Sequence, residues 1–395
     1  MRILHLSSLY PPIVVGGAEK VAAMLAETQA AAGHEVFATS LTREAQPPGS
    51  LNGVETRPLK SRNPLWIQES SRYPAPIRLA NKTATVFNLV TARQFGALLD
   101  EIRPDVLHSH SMVELPPAVW REAARRKVAI VHTLHDYDLL CIRGALFKDG
   151  VKCAPRHFAC RLLSAPKRAA HDRIDVAVAV SRTVLDRHLE HGLFAQLPPE
   201  RRHVLWNPVT LDTAVPTPAA ERAGPFRFGF LGRLVSEKGL GILIEACRRL
   251  QGDWSLTVAG VGPEAERFQE EAAGLPISFA GFVDPPAFLA GIDALVAVPV
   301  WDEPFGLTVL EAYGAGKRVI GSSSGAIGEF VNRVDPGWTV PPGDPDALMR
   351  AMAAAITAST DVAPQQVHDL MEELQPARVA NRYLEYYEQA RSVPR

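Results

Sequence analysis

Short, unbroken apolar runs alternate with amphipathic or Ala-rich stretches along the chain. Residues 3–7, 35–40, 106–109, 129–133 and 176–180 read as buried strands. Residues 18–32 read as an Ala-rich helix stopped by Gly33, since glycine tolerates the left-handed turn that ends a helix. The rhythm then restarts: residues 227–231, 255–259, 277–280, 294–298 and 318–321 predict strands, and residues 239–250 a helix between the first two. Strands that are apolar throughout and alternate with helices predict parallel sheets covered on both faces. The break falls near residues 207–225, NPVTLDTAVPTPAAERAGP, which has linker composition. The pattern therefore predicts two tandem Rossmann-like α/β domains, residues 1–206 and 207–375, followed by a helix in the tail, residues 376–395. Residues 47–80 break the rhythm; their six prolines predict an irregular surface excursion or a loop that meets a ligand.

Composition narrows the classes. At 47% hydrophobic and 22% charged, the 395-residue chain is not disordered. Four cysteines are too few for a disulfide scaffold. No apolar run approaches the roughly 20 residues of a membrane helix. The opening MRILHLSSLYPP reads as a first strand and not a signal peptide, so a cytoplasmic protein is expected. Charge is split: residues 1–206 carry 27 Lys+Arg against 19 Asp+Glu, net +8, and the rest 15 against 24, net −9. A basic half fits phosphorylated ligands or peripheral contact with an anionic membrane surface; attraction between the halves explains it equally. Nucleic acid is disfavoured, because the basic residues are scattered and lack interleaved aromatics.

Four segments follow strands and carry candidate chemistry. In EPFGLTVLE, residues 303–311, Glu303 and Glu311 bracket a Pro-Phe-Gly turn that opens a helix, whose free backbone N–H groups suit a phosphate. The alternative is ordinary acidic decoration of a first helical turn. In GRLVSEKG, Arg233 and Lys238 lie on a loop at a strand's C-terminal end, where open α/β sheets bind ligands. Two cations there would neutralise a diphosphate as it leaves, or would be solvated surface charges. Gly16 and Gly17 in GGAE, and Gly262 in GVGP, permit close backbone approach to phosphate. They do not form the dinucleotide fingerprint. His135, in the segment TLHDY (residues 133–137), follows a strand and is placed to hydrogen-bond a substrate hydroxyl.

Together, GGAEK, HDY, GFLGRLVSEKG, AGVGPE, FAGFV and EPFGLTVLEAYGAGKRVIGS resemble a family 4 glycosyltransferase of the GT-B fold, over nearly the whole chain. The resemblance implies two Rossmann-like domains facing each other across a cleft, with the C-terminal helix crossing back to the first. It implies retaining transfer of a hexose-type sugar from a UDP- or GDP-linked donor to a hydroxyl of a glycan or lipid-linked acceptor, in polysaccharide or glycoconjugate assembly. By the same resemblance, Arg233 and Lys238 hold the pyrophosphate and Glu303 meets the donor sugar, with the backbone N–H groups of Phe305, Gly306 and Leu307 nearby. Glu311 binds the ribose, Gly281, Phe282 and Val283 flank the base, and Gly17 approaches the phosphates. His135 meets the sugar near its reacting carbon. Gly16, Gly262 and Thr308 complete the donor-binding set. No cofactor and no catalytic metal are expected, the two cations replacing the metal. Asp136-Tyr137-Asp138 has Asp-X-Asp spacing but falls in the segment matched to another role.

Cys141, Cys153 and Cys160, with His157, could supply zinc ligands, but their spacing matches no tight zinc knuckle. Free thiols shaping the acceptor site are the expectation. Two other functions compete with the transferase: a sugar-nucleotide epimerase on the same fold, which would act without an acceptor, and an inactive nucleotide-sugar-binding subunit. The completeness of the candidate site disfavours the latter. A phosphorylase would usually need a much longer chain.

Overall fold

The computed structural model describes residues 1–148, 150–210, 224–358 and 362–394. The chain forms two compact α/β units, each with its own parallel sheet. Each sheet has Rossmann-like topology.

The main sheet of the first unit has eight strands: β1 (Arg2–Leu6), β2 (Glu35–Thr39), β3 (Gly49–Leu51), β4 (Val54–Thr56), β5 (Val106–Ser109), β6 (Ala129–Leu134), β7 (Val176–Ala179) and β8 (Arg202–Val204). Their order is β8-β7-β6-β5-β1-β2-β4-β3, parallel except for the β3/β4 edge pair. Strands β5, β6 and β7 are buried along their whole length, as helix-covered parallel strands should be. The helix Gly17–Ala31 covers one face, and Val21, Leu25 and Ala26 enter the core.

The main sheet of the second unit has six strands: β9 (Phe226–Leu231), β10 (Trp254–Ala259), β11 (Ile277–Gly281), β12 (Ala294–Ala297), β13 (Arg318–Ser322) and β14 (Thr339–Val340). All are parallel, in the order β11-β10-β9-β12-β13-β14. Phe228, Leu256, Val258 and Ala294 form the centre of its core with Leu243 and Leu348 from the flanking helices. In both sheets the direction of succession reverses at the first strand, beside β1 and beside β9. Loops leaving the C-terminal ends of strands flanking such a reversal are where open sheets bind ligands.

The contact units differ from a simple cut near residue 207. The first comprises Met1–Leu146, Cys153–Pro208 and Leu374–Arg395, and the second Phe147–Lys152 and Val209–Glu373. The hairpin Phe147–Lys152 joins the second unit because Lys152 Nζ lies 2.6 Å from Asp302 Oδ1 and donates to Ser324 Oγ. The tail helix, Pro376–Arg391, packs on Gly17–Ala31 and β6, with Tyr383 and Tyr387 inside the first core. Of the predicted linker, residues 211–223 lie outside the described residues.

One expectation needs correction. Residues 47–80 are not an irregular excursion: they contain β3, β4, the short strand Leu59–Lys60 and a turn of helix at Ile67–Arg72, and they start the helix Ala75–Val86. The strands are short and sit at the sheet edge, and the helix buries only Asn81 and Thr85, so neither has an apolar periodicity to read. The helix expected over 239–250 spans Leu240–Cys247, because Gly239 caps it in the left-handed region at φ +79°.

Candidate active site

Four of the sequence motifs lie on loops at the C-terminal ends of the second sheet's strands. After β9, Lys238 comes within 2.5 Å of Glu303 Oε2, a residue that follows β12. Trp301 Nε1–H donates to the same oxygen at 3.1 Å. Glu303 keeps only 12% of its side-chain exposure, so two donors hold a largely desolvated carboxylate in one place. The backbone beneath is fixed as tightly. A Cβ on Gly325, at φ +66°, would lie 2.5 Å from both Glu303 N and Glu303 O, so only glycine lets this turn approach. Gly306 caps the helix Leu307–Gly314 from the left-handed region at φ +79°. The first N–H groups of that helix have no intrahelical acceptor, which suits an anion. Thr308 lies in its first turn and Glu311 on its second, both half-buried.

Arg233 is the exposed member of the set, its side chain 73% accessible and 3.8 Å from Glu237 Oε1. A solvated guanidinium can pair with a phosphate without a large desolvation cost. The loop carrying it is braced by close backbone packing. Leu234 N–H donates to Val261 O at 3.0 Å, and a Cβ on Gly262 would lie 2.2 Å from Leu234 O. Gly281 ends β11 at φ +67°, and Phe282 beyond it is 87% exposed with Val283 half-buried. An aromatic ring held in water with its neighbour backbone turned is a platform for a flat ligand. The structure thus brings Lys238, Glu303 and the Gly306 helix start together, and sets Arg233, Gly262, Phe282 and Val283 on neighbouring loops of the same unit. Phe305 is engaged by the edge of Phe330, with ring centroids 5.3 Å apart.

In the first unit, Gly16 starts the helix Gly17–Ala31 after β1. Its N–H donates to Glu19 Oε2 at 2.8 Å, and nothing approaches a Cβ on Gly17. His135 follows β6 directly. Its Nε2 lies 3.1 Å from His110 Nδ1, while its Nδ1 is buried without a hydrogen-bond partner. Burial lowers the His135 pKa to about 3, so the ring is neutral at physiological pH. Beside it, a cavity of about 110 Å³ is lined by Lys82, Asp136, Asp138, Cys141 and Lys167. Lys167 pairs with Asp138 at 3.0 Å. Burial, with the Asp138 charge next, pushes the Asp136 pKa above the usual carboxylate range.

The cysteines do not gather into a ligand set among the described residues. Cys141 and Cys160 face each other at 3.8 Å, both buried, and Cys153 and His157 do not join them. The cluster with ligand atoms within 4.8 Å of one another is His5, His108 and His110, which the motif reading missed. The signal was present: His5, His108, His110 and His132 all lie in or at the ends of apolar strands, where a polar residue needs a reason.

Comparison with known proteins decides the family. The description "Glycosyltransferase Family 4" matches residues 15–213, and "Glycosyl transferases group 1" matches residues 225–358. The chain belongs to glycosyltransferase family 4. This glycosyltransferase is 27% identical to a glycogen synthase of Mycobacterium tuberculosis, over 90% of this chain and 86% of that one. It is 26% identical to a 42.6 kDa protein of the cps region of Klebsiella pneumoniae, over 84% of this chain and 87% of the relative. The Anabaena HepE structure, in complex with UDP, shares its fold with a TM-score of 0.69 at 16% identity, covering 98% of this chain and 99% of that one. No helix among the described residues is long and apolar enough to cross a membrane.

Proposed function

We propose that this glycosyltransferase moves a hexose-type sugar, with retention of configuration, from a UDP- or GDP-linked donor to a hydroxyl of a glycan or lipid-linked acceptor. The observation that carries the reading is the Lys238–Glu303 pair at 2.5 Å beside the Gly306 helix start, with Arg233 exposed on the adjoining loop. Arg233, Lys238 and the helix N–H groups, with Gly16, Gly17 and Gly262 admitting close approach, neutralise the diphosphate. Glu311 takes the ribose, Phe282 and Val283 the base. Glu303 and Thr308 hold the sugar side, with the backbone of Phe305, Gly306 and Leu307. His135, on the first unit, hydrogen-bonds a sugar hydroxyl.

The transfer runs on one face. The anomeric C–O bond to the diphosphate breaks, and the acceptor oxygen bonds the same carbon from the same side. The acceptor proton passes to the departing phosphate oxygen. Positioning and charge stabilisation then supply the rate, with no protein nucleophile, cofactor or metal. The cavity at Asp136 and Cys141 is the acceptor side of this scheme. The relatives' names, glycogen synthase and a cps-region protein, support a role in polysaccharide assembly. UDP in the HepE complex supports a nucleotide diphosphate. The basic first half supports work at the cytoplasmic face of an anionic membrane.

Calorimetric titration with UDP, GDP, ADP and dTDP, with and without EDTA, tests the reading. One nucleotide is expected to bind with a Kd on the order of micromolar, unaffected by EDTA. Arg233→Ala and Glu311→Ala should each abolish that binding. A folded wild type that binds none of the four, even with acceptor glycan added, overturns it.

A further inference from the structure

His135 is one end of an unbroken chain of hydrogen bonds inside the first unit. Its Nε2 lies 3.1 Å from His110 Nδ1. His110 Nε2 lies 3.0 Å from His5 Nδ1, and His5 Nε2 lies 2.9 Å from Gln29 Oε1. Gln29 Nε2–H then donates to the Tyr387 hydroxyl at 3.0 Å. The Tyr387 hydroxyl is 2.7 Å from His108 Nδ1, and His108 Nε2 is 2.7 Å from Thr133 Oγ1. Gln29, His5, His108 and His110 are all buried. Both ring nitrogens of His5, His108 and His110 are therefore engaged in hydrogen bonds.

Burial lowers His5 to about 4 and His110 well below its ordinary value, as it does His135. Each ring is neutral near pH 7 and has one N–H and one lone pair. The direction of the chain follows from its far end. An amide oxygen only accepts, so His5 carries its proton on Nε2 and offers a lone pair at Nδ1. His110 must then donate from Nε2 and accept at Nδ1. His135 in turn must donate from Nε2. Its Nδ1 is left as a bare lone pair, the buried atom that has no partner.

We propose that Gln29 is a positioning residue that fixes the tautomer of His135, through His5 and His110, so that His135 Nδ1 accepts a hydrogen bond from a hydroxyl of the bound ligand. The tautomer stands on the hydrogen-bond chain alone; the sugar hydroxyl as its partner rests on the glycosyltransferase reading. A Gln29 amide turned the other way would reverse each bond and present an N–H instead, which selects a ligand acceptor. The two arrangements differ in what they recognise, while the carbon skeleton is the same.

Nitrogen NMR of the full chain labelled with 15N in histidine rings reads this directly, with His135→Asn to assign the signal. The wild type is expected to show His135 protonated at Nε2 and bare at Nδ1. Gln29→Met, which keeps the shape and removes the strong acceptor, should give roughly equal populations of the two His135 tautomers. A wild-type His135 protonated at Nδ1 overturns the proposal, and that spectrum decides even if the variant does not fold. A folded Gln29→Met with the wild-type tautomer overturns the role of Gln29. UDP and GDP titrations run alongside are expected to give the same affinity in both chains. If the wild type binds neither, the hydroxyl assignment falls with the glycosyltransferase reading, and the tautomer result remains to be read by itself.

Discussion

The two units hold their candidate residues by opposite means. In the second, charge is placed near the surface: Arg233 is exposed, Lys238 is partly so, and Glu303 is pinned by two donors. In the first, His135 ends a buried row of uncharged rings, with glutamine and tyrosine behind it. Charged groups near water can meet a charged ligand without a large desolvation cost, and geometry matters less because Coulomb attraction is long-ranged. Neutral rings attract nothing at a distance but discriminate by donor and acceptor. In the proposed scheme the charged residues of the second unit meet a diphosphate, and the neutral ring of the first meets a sugar hydroxyl.

Breaking the charged side should cost most. In the proposed scheme Lys238→Ala removes a cation from the leaving diphosphate, and it takes the ion-pair partner from the Glu303 carboxylate. Transfer activity is expected to fall about 10²–10³-fold, with weakened nucleotide binding by calorimetry. An effect under threefold would mean that the pair is only structural. On the neutral side, His135→Ala should cut kcat about 10–100-fold while leaving the Kd for the free nucleotide unchanged. A matching loss of nucleotide affinity would erase the proposed division of labour.

Acid gives a smaller and sharper contrast. His5, His132 and His188 are lowered to about 4 and His135 to about 3, chiefly by burial. In the unfolded chain these rings titrate near 6.5. Above that pH neither state binds the protons and nothing changes. Below it the unfolded chain takes up protons that the folded one refuses, so stability falls as pH drops from about 6.5 toward 4. The slope approaches about 1.4 kcal/mol per pH unit for each such histidine. The second unit has a single histidine, His368. Hydrogen exchange at pH 7.5 and pH 5 should therefore show the first unit loosening and the second holding. Equal loosening in both would sink the assignment of acid sensitivity to the buried rings.

The central strands and the charged motifs were legible because each carries a local signal. β5, β6 and β12 are short apolar runs, and Lys238 and Glu303 stand in loops directly after strands. The edge pair β3/β4 and the helix Ala75–Val86 were not, since a sheet edge and a helix that buries only Asn81 and Thr85 leave no apolar period. The histidine row was hidden for another reason. Gln29 sits in an Ala-rich helix and looks like a solvated residue, yet it is fully buried against His5 and Tyr387, 24 and 358 positions away. Neither separation fits in a local window, and the Tyr387 pairing forms only after the tail has folded onto the first unit. For the same reason the short hairpin Phe147–Lys152 was read with the first domain, although Lys152 finds its partner 150 residues later.

The tail helix has a consequence for synthesis. Tyr383 and Tyr387 complete a core whose first strand is β1, so the beginning of the chain needs its end. Residues of the second unit leave the ribosome before that helix and can close their own sheet first. The nascent first unit meanwhile holds its buried polar row without the hydroxyls that terminate it. Vectorial folding from the N-terminus is inverted here: the unit made first is finished last.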